Sequence, residues 1–251
     1  MSARAVPPDI TDTVAKEEMM FQRSRALAAL LPLLILAGAC DDNNDDVTGT
    51  GNNSTATVRF INATNSNIDV TNGGTVATGN GNLGFGVSSS CMTVNTTGTG
   101  FQFNQAGTST AIPGFTPNFT SGGNYTVIAY PGTGTTGTQF VTFNNAGFTP
   151  NTGQAGLRIV NAASGSGNLF ALGNGSVLGG ATTGVGFGTA GNFMSVNAGT
   201  QAITFNTGTG TTTVPSNAGN MTFTAGQNYT LVVAPATTGS TTLRTFLVTG
   251  C

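Results

Sequence analysis

The chain has 251 residues but only 7 basic and 9 acidic side chains, a net charge of −2, and neither histidine nor tryptophan. From Cys40 onward the charged side chains are Asp41, Asp42, Asp45, Asp46 and Asp69 against Arg59, Arg158 and Arg244. Three arginines cannot make the run of phosphate contacts on which nucleic-acid affinity depends, so nucleic acid is excluded as a partner.

Catalysis is disfavoured on the same grounds. Acid–base and nucleophilic mechanisms need titratable groups within reach of one another, and from Cys40 onward there is no Lys, Glu or His. Zinc ligands are missing too. The reading is a non-enzyme with no catalytic residues, no cofactor and no metal.

Residues 1–18 carry Asp9, Asp12, Glu17 and Glu18, whereas the start of a secretory signal is basic. Met19 and Met20 stand directly before FQRSR, and translation is expected to begin at one of them. Residues 26–39, ALAALLPLLILAGA, follow Arg23 and Arg25 and end on the small residues Ala37, Gly38 and Ala39. The stretch is shorter than the ~20 residues of a membrane span. Residues 1–39 therefore read as a signal peptide.

Cys40 follows at once. The junction resembles the bacterial lipobox, at which the cysteine is acylated and becomes the new N-terminus. It departs from the usual pattern by Ala37 in place of leucine, with Leu36 one position further out. The alternative is an ordinary signal peptide that ends near a cysteine. The tract after it, DDNNDD at 41–46, lacks the glycine and closing glutamate of an EF-hand loop and reads as part of a solvated tether over 40–56. Such a tether spans about 20 Å as a flexible coil.

Beyond the tether the chain repeats itself. VRFINAT (58–64) returns as LRIVNAA (157–163), and GFGVSSSCMTVN (84–95) as GFGTAGNFMSVN (186–197). FQFN (101–104) returns as ITFN (203–206), and FTSGGNYTVIAYP (119–131) as FTAGQNYTLVVAP (223–235). Four blocks in one order mark a tandem duplication. Within each copy, Thr-, Val- and Phe-rich runs alternate with period two and are divided by turns such as NGG (72–74), GNGN (79–82) and SGGN (121–124). The expected fold is all-β: two tandem immunoglobulin-like β-sandwich domains, at 57–150 and 155–251, after the signal peptide and flexible tether.

Tyr125 and Tyr229 each follow a glycine by three residues and a phenylalanine by six. This resembles a tyrosine corner, in which the hydroxyl bonds to upstream backbone; a plain strand-starting tyrosine is the other reading. GNGNLG (79–84) and GTGTTG (132–137) satisfy G-x-G-x-x-G but lack the helix and acidic residue of a dinucleotide site, so they read as turns. The N-x-[ST] triplets, Asn124-Tyr125-Thr126 among them, read as Asn- and Thr-rich strand sequence.

The unit, with [VL]R[FI][IV]NA at its start, GFG in the middle and NYT near its end, resembles the family called domain of unknown function 4397. That resemblance covers about residues 57–251. The Asp-Val pair common early in such units stands as Asp69-Val70 in the first copy and is lost in the second. The resemblance implies secreted or surface proteins with tandem units, often after a lipobox, and implies no activity.

With Cys40 lipidated, Cys91 and Cys251 are an even pair in an oxidising compartment and are expected to bond. The rival reading is a buried Cys91, because it aligns with Phe193. The functional expectation is a cell-envelope protein, held on the periplasmic face or cell surface by its N-terminal lipid. There it acts as a non-catalytic binding or adhesion module for a protein or envelope polymer. The alternative is a purely structural or self-assembling envelope component.

Overall fold

The computed structural model describes residues 54–251 apart from 97–99, 135–136, 179–183, 209–211 and 238–239. The signal peptide, Cys40 and the tether to residue 53 lie outside the described residues. The described residues form one compact unit.

The first half contains β1 (Thr55–Asn62), β2 (Ile68–Asn72), β3 (Thr75–Val76), β4 (Met92–Asn95), β5 (Phe101–Gln105), β6 (Asn124–Pro131) and β7 (Thr138–Asn144). They form two sheets, ordered β4-β1-β6-β7 and β3-β2-β5. The second half contains β8 (Gln154–Asn161), β9 (Phe170–Gly173), β10 (Ser176–Val177), β11 (Thr189–Ala190), β12 (Met194–Asn197), β13 (Gly199–Thr207), β14 (Thr212–Phe223), β15 (Asn228–Pro235) and β16 (Leu243–Thr249). The same two groups recur there. The twelve-residue β14 joins them into one nine-stranded sheet, pairing with β13 along its length and touching β16 at Ser216–Leu243. The all-β class is as the sequence predicts.

Two details differ from the sequence reading. Strand β1 takes in residues read as tether, because Thr55 and Ala56 already pair with Asn95 and Val94. The central pairing of each main sheet is parallel, β1 with β6 and β8 with β15. Parallel neighbours buried on both faces read as near-continuous apolar runs, and VIAY and LVVA are such runs.

Side-chain alternation along these strands builds three cores. Val58 and Phe60 of β1 and Tyr125, Val127 and Ala129 of β6 face the first half's own core, with Phe101, Phe103 and Phe119. Leu157 and Ile159 of β8 and Leu231 and Val233 of β15 face the second half's core, with Ile203, Phe205 and Phe223. The alternate residues of the same strands meet across the middle. Ile61, Ala63, Ile128 and Tyr130 pack with Val160, Ala162, Val232, Ala234 and Val248 in a third buried cluster drawn from both halves. Each fully buried isoleucine or valine contributes about 1.5–3 kcal/mol. The two halves thus have a core apiece and a shared seam.

The predicted NGG turn is a two-residue hairpin. Asn72 pairs with Thr75 across Gly73 and Gly74, whose φ values of 62° and 79° suit the I′ turn that matches strand twist. The second half repeats it with Asn174 and Gly175 at 51° and 82° between Gly173 and Ser176.

Candidate functional site

The seam between the halves gathers the repeated motif residues. In the [VL]R[FI][IV]NA block, alternation points the arginine at the opposite half. Arg59 donates through Nη1 to the carbonyl and hydroxyl oxygens of Thr249, the last residue of β16. Arg158 donates through Nη1 to the carbonyl of Asn144, the last residue of β7, at 3.1 Å, and through Nη2 to Asn145 Oδ1 at 3.3 Å. Thr249 pairs with Tyr229 as Asn144 pairs with Tyr125, so the two arginines make reciprocal contacts.

The surroundings of the two guanidinium groups then diverge. Arg158 is buried between the rings of Phe143 and Phe193, 4.1 and 3.9 Å from their centroids, and desolvation pushes its pKa down to about 10. Rings this close to a desolvated guanidinium offset part of the cost of burying it. Arg59 is less buried, and burial lowers its pKa. Its Nη2 stands 3.1 Å from Cys91 Sγ, where the second half has Phe193.

Cys91 and Cys251 are joined by a disulfide with Cα atoms 5.8 Å apart. Both residues are exposed, so the packed position suggested by the alignment with Phe193 is not where Cys91 sits. The bond fastens the end of the second half to the first beside Arg59.

The asparagine of the block closes a loop in each half. Asn62 donates to the carbonyls of Ser66 and Leu83, both at 2.7 Å, and its Oδ1 accepts from the backbone and hydroxyl of Thr64. Asn161 donates to the carbonyls of Gly167 and Val185, both at 2.9 Å, and accepts from Ala163 N–H and Ser166 Oγ. Buried side-chain amides are stable only when satisfied in this way.

The GFG block is the clasp of the seam. Phe85 packs edge-on against Phe246 of β16 and lies under the Arg244 guanidinium; Phe187 packs edge-on against Tyr130 of β6. The following glycines allow the close approach. Gly86 (φ 75°) lies beneath the Phe246 ring, and a Cβ on Gly188 (φ 72°) would stand 2.6 Å from Tyr130 Oη. Burial raises the Tyr130 pKa. In the sequence GFG stands as a repeated block and a family motif without an assigned task; the phenylalanine between two glycines in both copies is the signal that it performs one task twice.

Tyr125 and Tyr229 sit away from the seam, inside each half. Tyr125 Oη accepts from Thr120 N–H at 3.1 Å and is 2.8 Å from its hydroxyl; Tyr229 Oη accepts from Thr224 N–H at 3.1 Å. Asp69 is buried with each oxygen taken by backbone, Oδ1 by Asn82 N–H at 2.6 Å and Oδ2 by Gly107 N–H at 2.8 Å. In the second half Phe170 holds its place, since Ile68–Leu83 and Leu169–Val185 are matching bridges. Asp69 therefore holds loops rather than facing a ligand.

Two concavities flank this arrangement. One of about 480 Å³ lies at the loop end and joins Thr133 of the first half to the hydroxyls of Ser164, Thr207 and Ser240 and the apolar Val214 and Leu243 of the second. The other, about 250 Å³, opens at the opposite end of the seam among Asn124, Asn145, Phe193, Asn228 and Thr249.

Residues 56–172 match the family described as Domain of unknown function (DUF4397). The match takes in all of the first half and runs to β9 in the second. It includes both arginines and both asparagines of the repeated block, and Phe85. Comparison with curated proteins finds no match.

Proposed function

We propose that this is a lipid-anchored cell-envelope protein in which two tandem DUF4397-like units, each an immunoglobulin-like sandwich, form a rigid, non-catalytic binding or adhesion module. The observation that carries the binding role is the concavity at the loop end, assembled from both halves, lined by serine and threonine hydroxyls beside the apolar Val214 and Leu243 and without a charged side chain. Such a surface suits an uncharged partner, a protein loop or envelope polymer, recognised by hydrogen bonds, apolar contact and shape. The single acidic side chain among the described residues, Asp69, is occupied by backbone, which supports a role without catalysis. The signal-like segment and Cys40 supply the envelope address, and the tract after Cys40 supplies reach.

The test is co-sedimentation of the exported chain, with Cys40→Ser, on isolated cell-wall polymer and on envelope membranes stripped of lipoproteins. Thr207→Arg with Ser240→Arg fills the concavity from its rim and leaves the cores untouched. Retention of the parent and loss in the double variant supports the reading. Equal retention of both, or retention of neither on any envelope fraction, overturns it.

A further inference from the structure

The seam has the construction of a two-fold dimer interface made within one chain. In a self-complementary interface each contact from residue i to residue j recurs with the partners exchanged. Here Arg59 reaches the last carbonyl of β16 and Arg158 the last carbonyl of β7. Phe85 clasps the second half and Phe187 the first, and the shared cluster takes matching residues from both sides. Each half also keeps a core and a strand set of its own, so neither requires the other's strands to complete a sheet.

The segment between β7 and β8, residues 145–153, contains Thr149-Pro150. Proline disfavours the α region for the residue before it and pushes that residue to extended backbone. In the folded chain the segment is held: Phe148 stacks on Phe193 and its carbonyl accepts from Asn228 Nδ2 at 2.9 Å. Before those contacts form, nine residues extended reach about 30 Å, so during folding the connection leaves either pairing within reach. The reciprocity breaks around the arginines, where Phe193 packs on Arg158 and Cys91 stands beside Arg59, and it breaks covalently at the Cys91–Cys251 disulfide.

We propose that the seam also accepts a second copy of this chain, the first half of one molecule docking on the second half of another, and that the Cys91–Cys251 bond is the lock that fixes which pairing persists. Before the bond closes, the halves choose between intrachain and interchain partners with the same contacts. In the chain before folding, when residues 145–153 are a short flexible linker, the effective concentration is about 1 mM, so at about 100 µM chain roughly a tenth of the pairing is interchain. Once closed, the disulfide holds either product.

The test uses exported chains carrying Cys40→Ser, which leaves two thiols. Cys91→Ser and Cys251→Ser chains are unfolded in denaturant, mixed, refolded under air and run on a non-reducing gel. Exchange places Cys251 of one variant against Cys91 of the other. The expected result is a covalent dimer in the mixture and little in either variant alone. Equal dimer in the single preparations means random oxidation and overturns the proposal, as does monomer throughout.

A second arm keeps both cysteines, so that a variant's failure to refold does not decide the result. The reduced chain is refolded with oxidised glutathione at rising protein concentration. The proposal expects disulfide-linked dimer rising to about a tenth of the chain near 100 µM, and monomer at every concentration overturns it.

Discussion

Replacing Asn161 with alanine removes four hydrogen bonds at once, but their losses are unequal. Val185 O keeps the bond it accepts from Leu169 N–H, and Ser166 Oγ keeps Ala163 O. Gly167 is exposed, so water can take its carbonyl. Ala163 N–H is the costly one: the residue is 1% exposed and the amide loses its acceptor. An orphaned buried donor costs about 1–3 kcal/mol, and each ordinary bond lost about 1 kcal/mol, which together give roughly 3–4 kcal/mol. For a unit of this size that corresponds to a fall in Tm of roughly 10 °C. Asn62 has the same wiring, with Leu83 O kept by Ile68 N–H and Thr64 N–H left alone in a buried place. Asn62→Ala should therefore cost the same within ~1 kcal/mol. The two sites share no partner, so the double variant should be additive within about 0.5 kcal/mol. Urea and thermal melts of all three variants make the check. A loss below about 1 kcal/mol at either site would refute the claim that this asparagine closes its loop.

Further expectations concern the seam and, as a control, one hairpin turn. Gly175 and Gly188 both have positive φ, but only Gly188 meets a neighbour; Gly175→Ala should cost about 1 kcal/mol, and Gly188→Ala at least 1–2 kcal/mol more in paired urea melts. Tyr130 ionises less readily folded than unfolded. Its contribution is complete below pH about 10 and is lost as pH rises through the folded value, so stability should fall more between pH 9 and 11 in the parent than in Tyr130→Phe. Opening the disulfide with Cys91→Ser should lower stability by up to about 5 kcal/mol, the loop-closure figure for a separation of 160 residues. No change in melting would show that the seam alone holds the halves.

Much of the architecture can be read from period-two patterns. Val58 and Phe60 alternating with Arg59 place a core face and an opposite face on β1, and the four repeated blocks place the same strand in β8. The seam was less legible. Ile61 and Ile128 share a face with Arg59 and Thr126, and a strand pattern alone cannot say whether that apolar minority meets solvent or a second sheet. Only VIAY and LVVA, apolar on both faces, signalled burial on two sides. The parallel pairing of β1 with β6 joins residues far apart in sequence, and no turn residue encodes it. Cys91 was ambiguous for a different reason: its aligned partner Phe193 serves Arg158 as a ring, whereas Cys91 stands beside Arg59 as a sulfur bonded to a distant residue.

The functional account rests on the envelope address, and the N-terminal peptide of the protein recovered from its native envelope tests that most directly. Intact-mass and fragment spectra should show a chain beginning at Cys40, heavier than its sequence by an acylated glyceryl group, and Cys40→Ser should abolish both the modification and partition into detergent. A chain that begins elsewhere, or an unmodified Cys40 on a protein that still partitions into detergent, would contradict the anchor and the account built on it.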